Sequence, residues 1–159
     1  MFQLILLAAV TRPPLTSEFT RYPAAAPLVG TPAKPRLDSP NTRMFRTALR
    51  RAAAEGPNFN GHFRLTHWGQ GTNVIEWAVI NLQTGRVWVA PEAAGSCWAP
   101  AESDGATVPE WYEVHIDSSL FYLHGCTSAS PAPRTFDTRY VYVWEGSAPR
   151  LIRVEPLPK

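Results

Sequence analysis

The sequence predicts an α+β fold in which one N-terminal helix packs on a twisted antiparallel sheet, a meander of about six strands. Two observations lead to this prediction. Three β-rich runs follow one another in residues 61–90, separated by a Gly-x-Gly corner at residues 69–71 and by a tight turn at Thr84 and Gly85. Before them, residues 44–53 carry apolar side chains at helical spacing. A helix followed by a run of strands is typical of the α+β class.

The helix is expected between a cap at Ser39 or Asn41 and a stop at Gly56. Pro40 suits the first turn because its missing N–H would be unpaired there, and Gly56 followed by proline ends a helix. The apolar stripe that should face the sheet consists of Met44, Phe45, Ala48, Leu49, Ala52 and Ala53. Four arginines lie mostly off this stripe: Arg43, Arg46, Arg50 and Arg51. They indicate a solvated helix face or, as the alternative, a basic face that meets an anionic surface.

The strand predictions come from runs of alternating or continuous apolar residues, at residues 61–68, 74–82, 86–90, 111–116, 119–124, 139–145 and 150–154. The second run is apolar on both faces, as expected for a central strand that is covered on both sides. In the first run, alternation places His67 on the face of Phe63 and Leu65, in or near the core, and Trp68 on the other face. Gly146 can supply a positive φ for the final hairpin.

One domain, residues 39–156, is predicted from the length of 159 residues and from the distribution of proline. Residues 11–38 contain six prolines. Because proline disfavours helix interiors and central strands, this part is expected to be a linker or an extended arm that crosses the surface.

The first ten residues, MFQLILLAAV, form an apolar run that is too short to span a bilayer, which takes about 20 residues. A run of this length, with small residues at Ala8 and Ala9, is typical of a secretory signal peptide. We therefore expect residues 1–10 to be a signal peptide, the protein to be periplasmic or secreted, and no integral membrane span to be present. No Lys or Arg precedes the run, and a buried N-terminal strand is the alternative.

Charge and cysteine content exclude several kinds of function. Fifteen basic and thirteen acidic residues give a net charge of +2, too balanced for a nucleic-acid partner. Cys97 and Cys126 are an even number of cysteines in a chain expected to be exported, which predicts one disulfide. The alternative is a pair of buried, free thiols in a cytoplasmic protein. The absence of a Cys-x-x-Cys motif argues against redox catalysis and against a cysteine zinc site.

Five short segments share a recognisable pattern: Asn58-Phe59-Asn60-Gly61-His62-Phe63, Trp68-Gly69, Gly71-Thr72, Asn81-Leu82-Gln83-Thr84-Gly85-Arg86-Val87 and Asp117-Ser118-Ser119-Leu120. Over about residues 56–154 the chain thereby resembles a family of small exported bacterial proteins whose core reads N-F-x-G-H-Y-x-x-x-x-W-G-C-G-T-x-C, followed by an apolar strand, D-x-x-T-G-x-V and D-S-x-L-L. Both cysteines of that corner are replaced here, the first by Gln70 and the second by Asn73 or Val74. The resemblance implies a fold and export, and no established activity.

The two histidines near the first strand, His62 and His67, do not predict a metal site. They are an odd number of residues apart in the sequence, so a regular strand directs their side chains to opposite faces, where they cannot share one ion. We expect His62 to bond the backbone of the adjacent loop instead. No metal and no cofactor is expected.

A second group of polar residues, Glu113, His115 and Asp117, shares one face of a predicted strand. A carboxylate beside an imidazole can orient a general base. No Gly-x-Ser-x-Gly elbow accompanies them. The candidate catalytic residues are His115 and Asp117 of this group, together with His62 near the first strand. The alternative is that Glu113, His115 and Asp117 form the solvated face of a strand and have no catalytic role.

Six tryptophans are too many for one small core to bury completely. Trp98 and Trp111 flank the long segment 91–109 and are the candidate binding residues, because aromatic anchors concentrate binding energy; alternatively they cover the end of the sheet. The sequence thus predicts an exported, non-enzymatic binding or inhibitor-like domain with a protein or glycan partner in the cell envelope, using the loops 91–112 and 127–138. The alternative is a small hydrolase that uses His115 with Asp117 or Glu113.

Overall fold

The computed structural model describes residues 18–69, 75–91, 111–125 and 137–157. In this part of the chain, seven strands form two antiparallel meanders. The first sheet has the order β1-β2-β3 and consists of β1 (Phe63–Gly69), β2 (Ile75–Asn81) and β3 (Val87–Val89). The second sheet has the order β4-β5-β6-β7 and consists of β4 (Tyr112–Val114), β5 (Leu120–Gly125), β6 (Thr138–Trp144) and β7 (Pro149–Pro156).

The two sheets lie face to face, and the prediction of one sheet is wrong in this respect. Apolar side chains of β1 and β2 form one buried cluster with side chains of the second sheet, namely Phe63, Leu65, Trp77 and Val79 with Phe121, Leu123 and Trp144. Alternating apolar residues look the same in a sheet covered by a helix and in a sheet covered by another sheet. The α+β class holds, since the helices and the antiparallel strands occupy separate parts of the chain.

The predicted helix is interrupted and forms two helices, α1 (Pro40–Met44) and α2 (Arg46–Ala54). The start matches the prediction: the Thr42 backbone N–H donates to the Ser39 hydroxyl at 3.1 Å, and the Ser39 N–H donates to the Thr42 hydroxyl at 3.0 Å. This reciprocal pair is a capping box with proline in the first turn. Phe45, at φ −96° and ψ 18°, leaves the helical region and separates the two helices.

Strand β2 is covered on both faces, which confirms the prediction from its apolar pattern. Trp77 and Val79 face the second sheet. On the other face of β2, Ala78 and Ile80, together with Leu82 just after the strand, pack against α2. The helix contributes Leu49, Ala52 and Ala53 to this contact. The helices, the first sheet and the second sheet therefore form three successive layers.

Residues 22–38, which we call the arm, run without a helix or a strand along both sheets. The arm is held by backbone N–H groups that lie between its prolines. Ala24 donates to the carbonyl of Asp117, and further donors bond the turns beside β1, β2 and β3, namely Leu28 to Gly61, Ala33 to Leu82 and Arg36 to Gly85. Proline has no N–H to leave unpaired, so an extended, proline-rich arm can lie on a surface with few bonds.

The residues before the arm cover the outer face of the second sheet. The Phe19 ring is fully buried and lies 4.8 Å from the Tyr122 ring and 4.2 Å from the His115 ring. The Ser118 hydroxyl, also fully buried, lies within 2.9 Å of the carbonyl oxygens of Phe19 and Tyr22. Phe19 thus belongs to the hydrophobic core, and the 3₁₀ turn Phe19–Arg21 forms a fourth layer.

Glu18 anchors this turn and should make stability depend on pH. Its carboxylate accepts hydrogen bonds from the Tyr122 hydroxyl at 2.6 Å and from Arg153 at 2.7 Å. Burial raises the pKa of Glu18, but these two bonds and the charges of Arg153 and Arg139 outweigh it and hold the pKa below its ordinary value. Because the pKa is lowered on folding, the carboxylate stabilises the folded state at pH values above its ordinary pKa of 4.5. This contribution to stability is lost as the pH falls below that value.

We therefore expect Glu18→Gln to lower the free energy of unfolding more at about pH 7 than at about pH 3. Urea unfolding of the native chain and the variant at both pH values measures the two differences. Equal differences at the two pH values would show that ionisation of Glu18 does not contribute.

Candidate functional site

His62 fastens the arm to the first sheet. Its Nδ1 lies 2.6 Å from the carbonyl oxygen of Ala26, and its Nε2 lies 3.5 Å from the amide nitrogen of Asn81. Because a carbonyl oxygen can only accept, Nδ1 carries the proton and Nε2 accepts from the amide. The expected bond to backbone is present, but its partner is 36 residues earlier in the chain and not in the adjacent loop.

The group predicted around His115 is only partly assembled. Its Nε2 lies 3.3 Å from a carboxylate oxygen of Glu113. Strand β4 ends at Val114, so the predicted extension of this strand to residue 116 is wrong. Asp117 lies in the turn that follows, where the alternation of strand faces no longer applies, and its carbonyl accepts from Ala24 of the arm.

The two histidines of the hydrolase hypothesis are held by different parts of the fold. His62 bonds the arm, whereas the His115 ring packs edge-on against Phe19 at 4.2 Å. His67 lies on the predicted face of β1 but is exposed, so its prediction in or near the core is wrong; its ring stacks on Trp111 at 5.4 Å. Among the described residues, no three His, Cys, Asp or Glu side chains are grouped so that they could hold a metal ion.

The candidate binding residue Trp111 is 8 % exposed and belongs to the core cluster between the sheets. Trp98 lies outside the described residues, as do most of the two loops assigned to binding. Cys97 and Cys126 also lie outside them, and their disulfide stays a prediction.

A cleft of about 250 Å³ lies where the turn between β2 and β3 approaches the turn between β6 and β7. Its apolar lining consists of Phe63, Val79, Val87, Trp88 and Trp144. Its remaining lining residues are Asn81, Thr84, Arg86, Gly146 and Ser147. The cleft is thus built from both sheets, and only the packing of the sheets brings its two sides together.

The three aromatic rings that line the cleft, Phe63, Trp88 and Trp144, are supported by each other and by the buried Trp77. The Trp88 ring lies 4.9 Å from Trp77 and 6.1 Å from Trp144, and the Phe63 ring lies 5.5 Å from Trp144. These distances and the tilted or edge-on angles are those of favourable aromatic pairs. Among the described strands β3 lies at the edge of the first sheet, beside β2, and Trp88 is partly exposed there. Phe63 and Trp144 are buried, so Trp88 is the ring that the cleft presents, and the other two support it.

The turn between β2 and β3 places the positively charged side chain of Arg86 at the cleft. The Asn81 side-chain oxygen accepts from the backbone N–H groups of Gln83 and Thr84 at 2.9 and 3.0 Å, and Gly85 has φ 77°. The Arg86 carbonyl accepts from the Asn81 N–H at 2.8 Å. The Arg86 backbone is thereby fixed, while its exposed guanidinium has no hydrogen bond or ion pair within the described part of the chain.

Trp88 and Arg86 were not among the site residues predicted from the sequence. A signal was present, because Trp88 is the only aromatic residue of a short predicted edge run directly after a Thr-Gly turn. The opposite side of the cleft, formed by Trp144 and Ser147, lies about 60 residues further along the chain, and no local pattern connects the two.

Within the described ranges, no helix has the length and apolar content to cross a membrane. No protein-family model, no curated protein and no solved structure matches the chain. The resemblance of residues 56–154 to exported bacterial proteins therefore stays a prediction, and the function has to be inferred from the geometry of the cleft.

Proposed function

We propose that the protein is an exported, non-enzymatic binding domain and that its ligand is a glycan of the cell envelope, bound in the cleft. The observation that carries this proposal is the combination of the partly exposed Trp88 ring, held by neighbouring aromatic rings, with the Arg86 guanidinium, for which the described part of the chain supplies no hydrogen bond or ion pair. Apolar faces of sugar rings pack on indole rings, and their hydroxyl and acidic groups bond to guanidinium, amide and hydroxyl side chains.

The volume of the cleft supports the binding of a single sugar ring. Pockets for drug-sized ligands occupy about 300–1,000 Å³. At about 250 Å³ the cleft is smaller, which suits a single sugar ring at the end of a chain. Ser147 and Thr84 place hydroxyl groups beside Arg86 along the lining, as a ring with several hydroxyl groups requires.

Binding is favoured over hydrolysis because the cleft has no acid or base among its described lining residues. Hydrolysis needs a general base within hydrogen-bond reach of the attacking group. The Glu113–His115 contact at 3.3 Å is the one observation that supports the hydrolase alternative. Ser118, three residues after His115, is fully buried and donates to the carbonyls of Phe19 and Tyr22, so it cannot serve as a nucleophile.

The proposal is tested by screening the purified protein against an array of bacterial envelope saccharides, followed by titration of the tryptophan fluorescence. We expect Trp88→Ala and Arg86→Gln each to weaken binding by about tenfold or more, the loss typical of an anchor residue. Arg21→Gln removes an exposed arginine of the N-terminal 3₁₀ turn and serves as the control. Unchanged affinity of both cleft variants would place the ligand elsewhere, and capture of an envelope protein without any glycan would contradict the ligand class.

A further inference from the structure

The solvent-facing side of the two helices is basic and contains no carboxylate. Of residues 43–54, the exposed ones are Arg43, Met44, Arg46, Thr47, Arg50, Arg51 and Ala54. The opposite side packs on the first sheet. We call the exposed residues the basic face.

The positive charges of the basic face are almost uncompensated. Arg43 and Arg46 each donate only to a backbone carbonyl, at 3.2 Å, and Arg50 has no hydrogen bond or ion pair within the described residues. Arg51 lies 3.9 Å from the carboxylate of Glu55, which is bound more closely by Arg64. Within the described residues, Arg51 is therefore the one arginine of the four with a carboxylate in reach, and that carboxylate already has another partner.

This arrangement disfavours the helices themselves. Arg46 and Arg50 are four residues apart within α2, so that these like charges lie beside each other on the helix surface and repel. Arg46 also begins α2, where a positive charge opposes the helix dipole, and no acidic residue occupies that first turn. Because these charges cost helix stability, an interaction outside the domain accounts for them better than the fold does.

The charges are also segregated along the chain. Six of the 15 basic residues but only one of the 13 acidic residues lie in residues 34–51, whereas no Lys or Arg occurs between Arg86 and Arg134. The small net charge is therefore an average over a basic part and an acidic part. Only the basic part attracts an anionic surface strongly.

The exposed side chain of Met44 favours a lipid membrane over other anionic partners. Met44 is 67 % exposed and lies between Arg43 and Arg46 in sequence. The apolar face of α2 packs on the first sheet, so Met44 is the large apolar side chain that the helices leave for a partner. An apolar group beside cations can insert between lipids at the headgroup boundary of an anionic membrane. Polyanions without an apolar layer offer no such place for Met44.

We propose that the basic face docks the protein on an anionic phospholipid surface. The guanidinium groups of Arg43, Arg46 and Arg50 bind lipid phosphates, for which their planar donor geometry is suited, and Met44 inserts at the headgroup boundary. The helices then lie parallel to the membrane. This docking goes beyond glycan binding in the cleft and does not depend on it.

Sedimentation of the purified full chain with vesicles tests the proposal. Vesicles containing about 30 % phosphatidylglycerol should bind the protein, vesicles of phosphatidylcholine alone should not, and about 0.5 M salt should release it. The triple variant Arg43→Gln, Arg46→Gln, Arg50→Gln is expected to bind the anionic vesicles about 100-fold more weakly at low salt. The same three positions changed to Lys should retain most of the binding.

The matched control removes three exposed arginines from other surfaces, through Arg21→Gln, Arg150→Gln and Arg153→Gln, and lowers the net charge equally. It should bind the vesicles nearly as well as the native chain. Thermal unfolding of the basic-face variant should show a stability equal to or above that of the native chain, because repulsion between the arginines is relieved. Comparable binding by the two triple variants, an absence of binding to anionic vesicles, or an oligomer in solution that only the basic-face variant disrupts would each overturn the proposal.

Discussion

Gly61→Ala and Gly85→Ala are each expected to lower the free energy of unfolding by about 2–4 kcal/mol, whereas Gly146→Ala should lower it by about 1 kcal/mol. All three glycines have a positive φ, of 76°, 77° and 81°. This backbone region alone costs a residue with a β-carbon about 1 kcal/mol. The first two glycines carry an additional restriction, because the arm lies directly on them.

The additional restriction is steric. A β-carbon on Gly61 would overlap the carbonyl oxygen of Ala25 and lie 2.6 Å from that of Ala26, and one on Gly85 would overlap the carbonyl oxygen of Lys34. These are backbone atoms of the arm, which can yield only by detaching it from the sheet. Forced overlap of this kind costs about 1–3 kcal/mol. Around Gly146 no atom lies within 4 Å of the added β-carbon, which makes it the matched control.

Urea unfolding of the three variants gives the comparison directly. A loss at Gly61 and Gly85 no larger than the loss at Gly146 would contradict the close docking of the arm. The tight turn predicted at Thr84 and Gly85 is confirmed, and the positive φ of Gly85 is one reason for glycine there. The contact with the arm adds a second reason, which local sequence did not contain.

Phe19→Ala is expected to lower the free energy of unfolding by about 3–5 kcal/mol. Phe19 is 0 % exposed and packs with Leu120, Tyr122, Val141 and Val143 on the outer face of the second sheet. Removing the ring would leave a cavity that β5 and β6 cannot close, since their other face is held by the core between the sheets. Domains are commonly stable by only about 5–15 kcal/mol, so the variant should be close to unfolding at physiological temperature.

Chemical denaturation at low temperature keeps this measurement possible for a weakened variant. Phe19→Leu should lose distinctly less than Phe19→Ala because it retains most of the buried volume. Val29→Ala, at a residue of the arm that is 76 % exposed, should change stability by no more than about 0.5 kcal/mol. A stability of Phe19→Ala equal to that of the native chain would show that residues 18–21 are not part of the folded unit.

Local features of the sequence determined the secondary structure. Each observed strand lies within about two residues of its predicted position, because alternation and turn glycines act over a few residues. The helix start at Ser39 and Pro40 was likewise predictable, since a capping box depends only on residues three apart. The covering of β2 on both faces followed from its continuous apolar run.

Tertiary structure alone decided where these elements meet. Two facing sheets and one sheet beneath a helix have the same alternating pattern, so the pairing of the sheets through Trp77 and Phe121 could not be predicted from it. The partner of His62, Ala26, is likewise remote in sequence. For the site, the sequence favoured Trp111, which the structure buries, over Trp88, which it leaves at the cleft. Periodicity reports which face of a strand is apolar, but the residue that covers that face depends on packing between distant segments, and the cleft between Arg86 and Ser147 exists only through that packing.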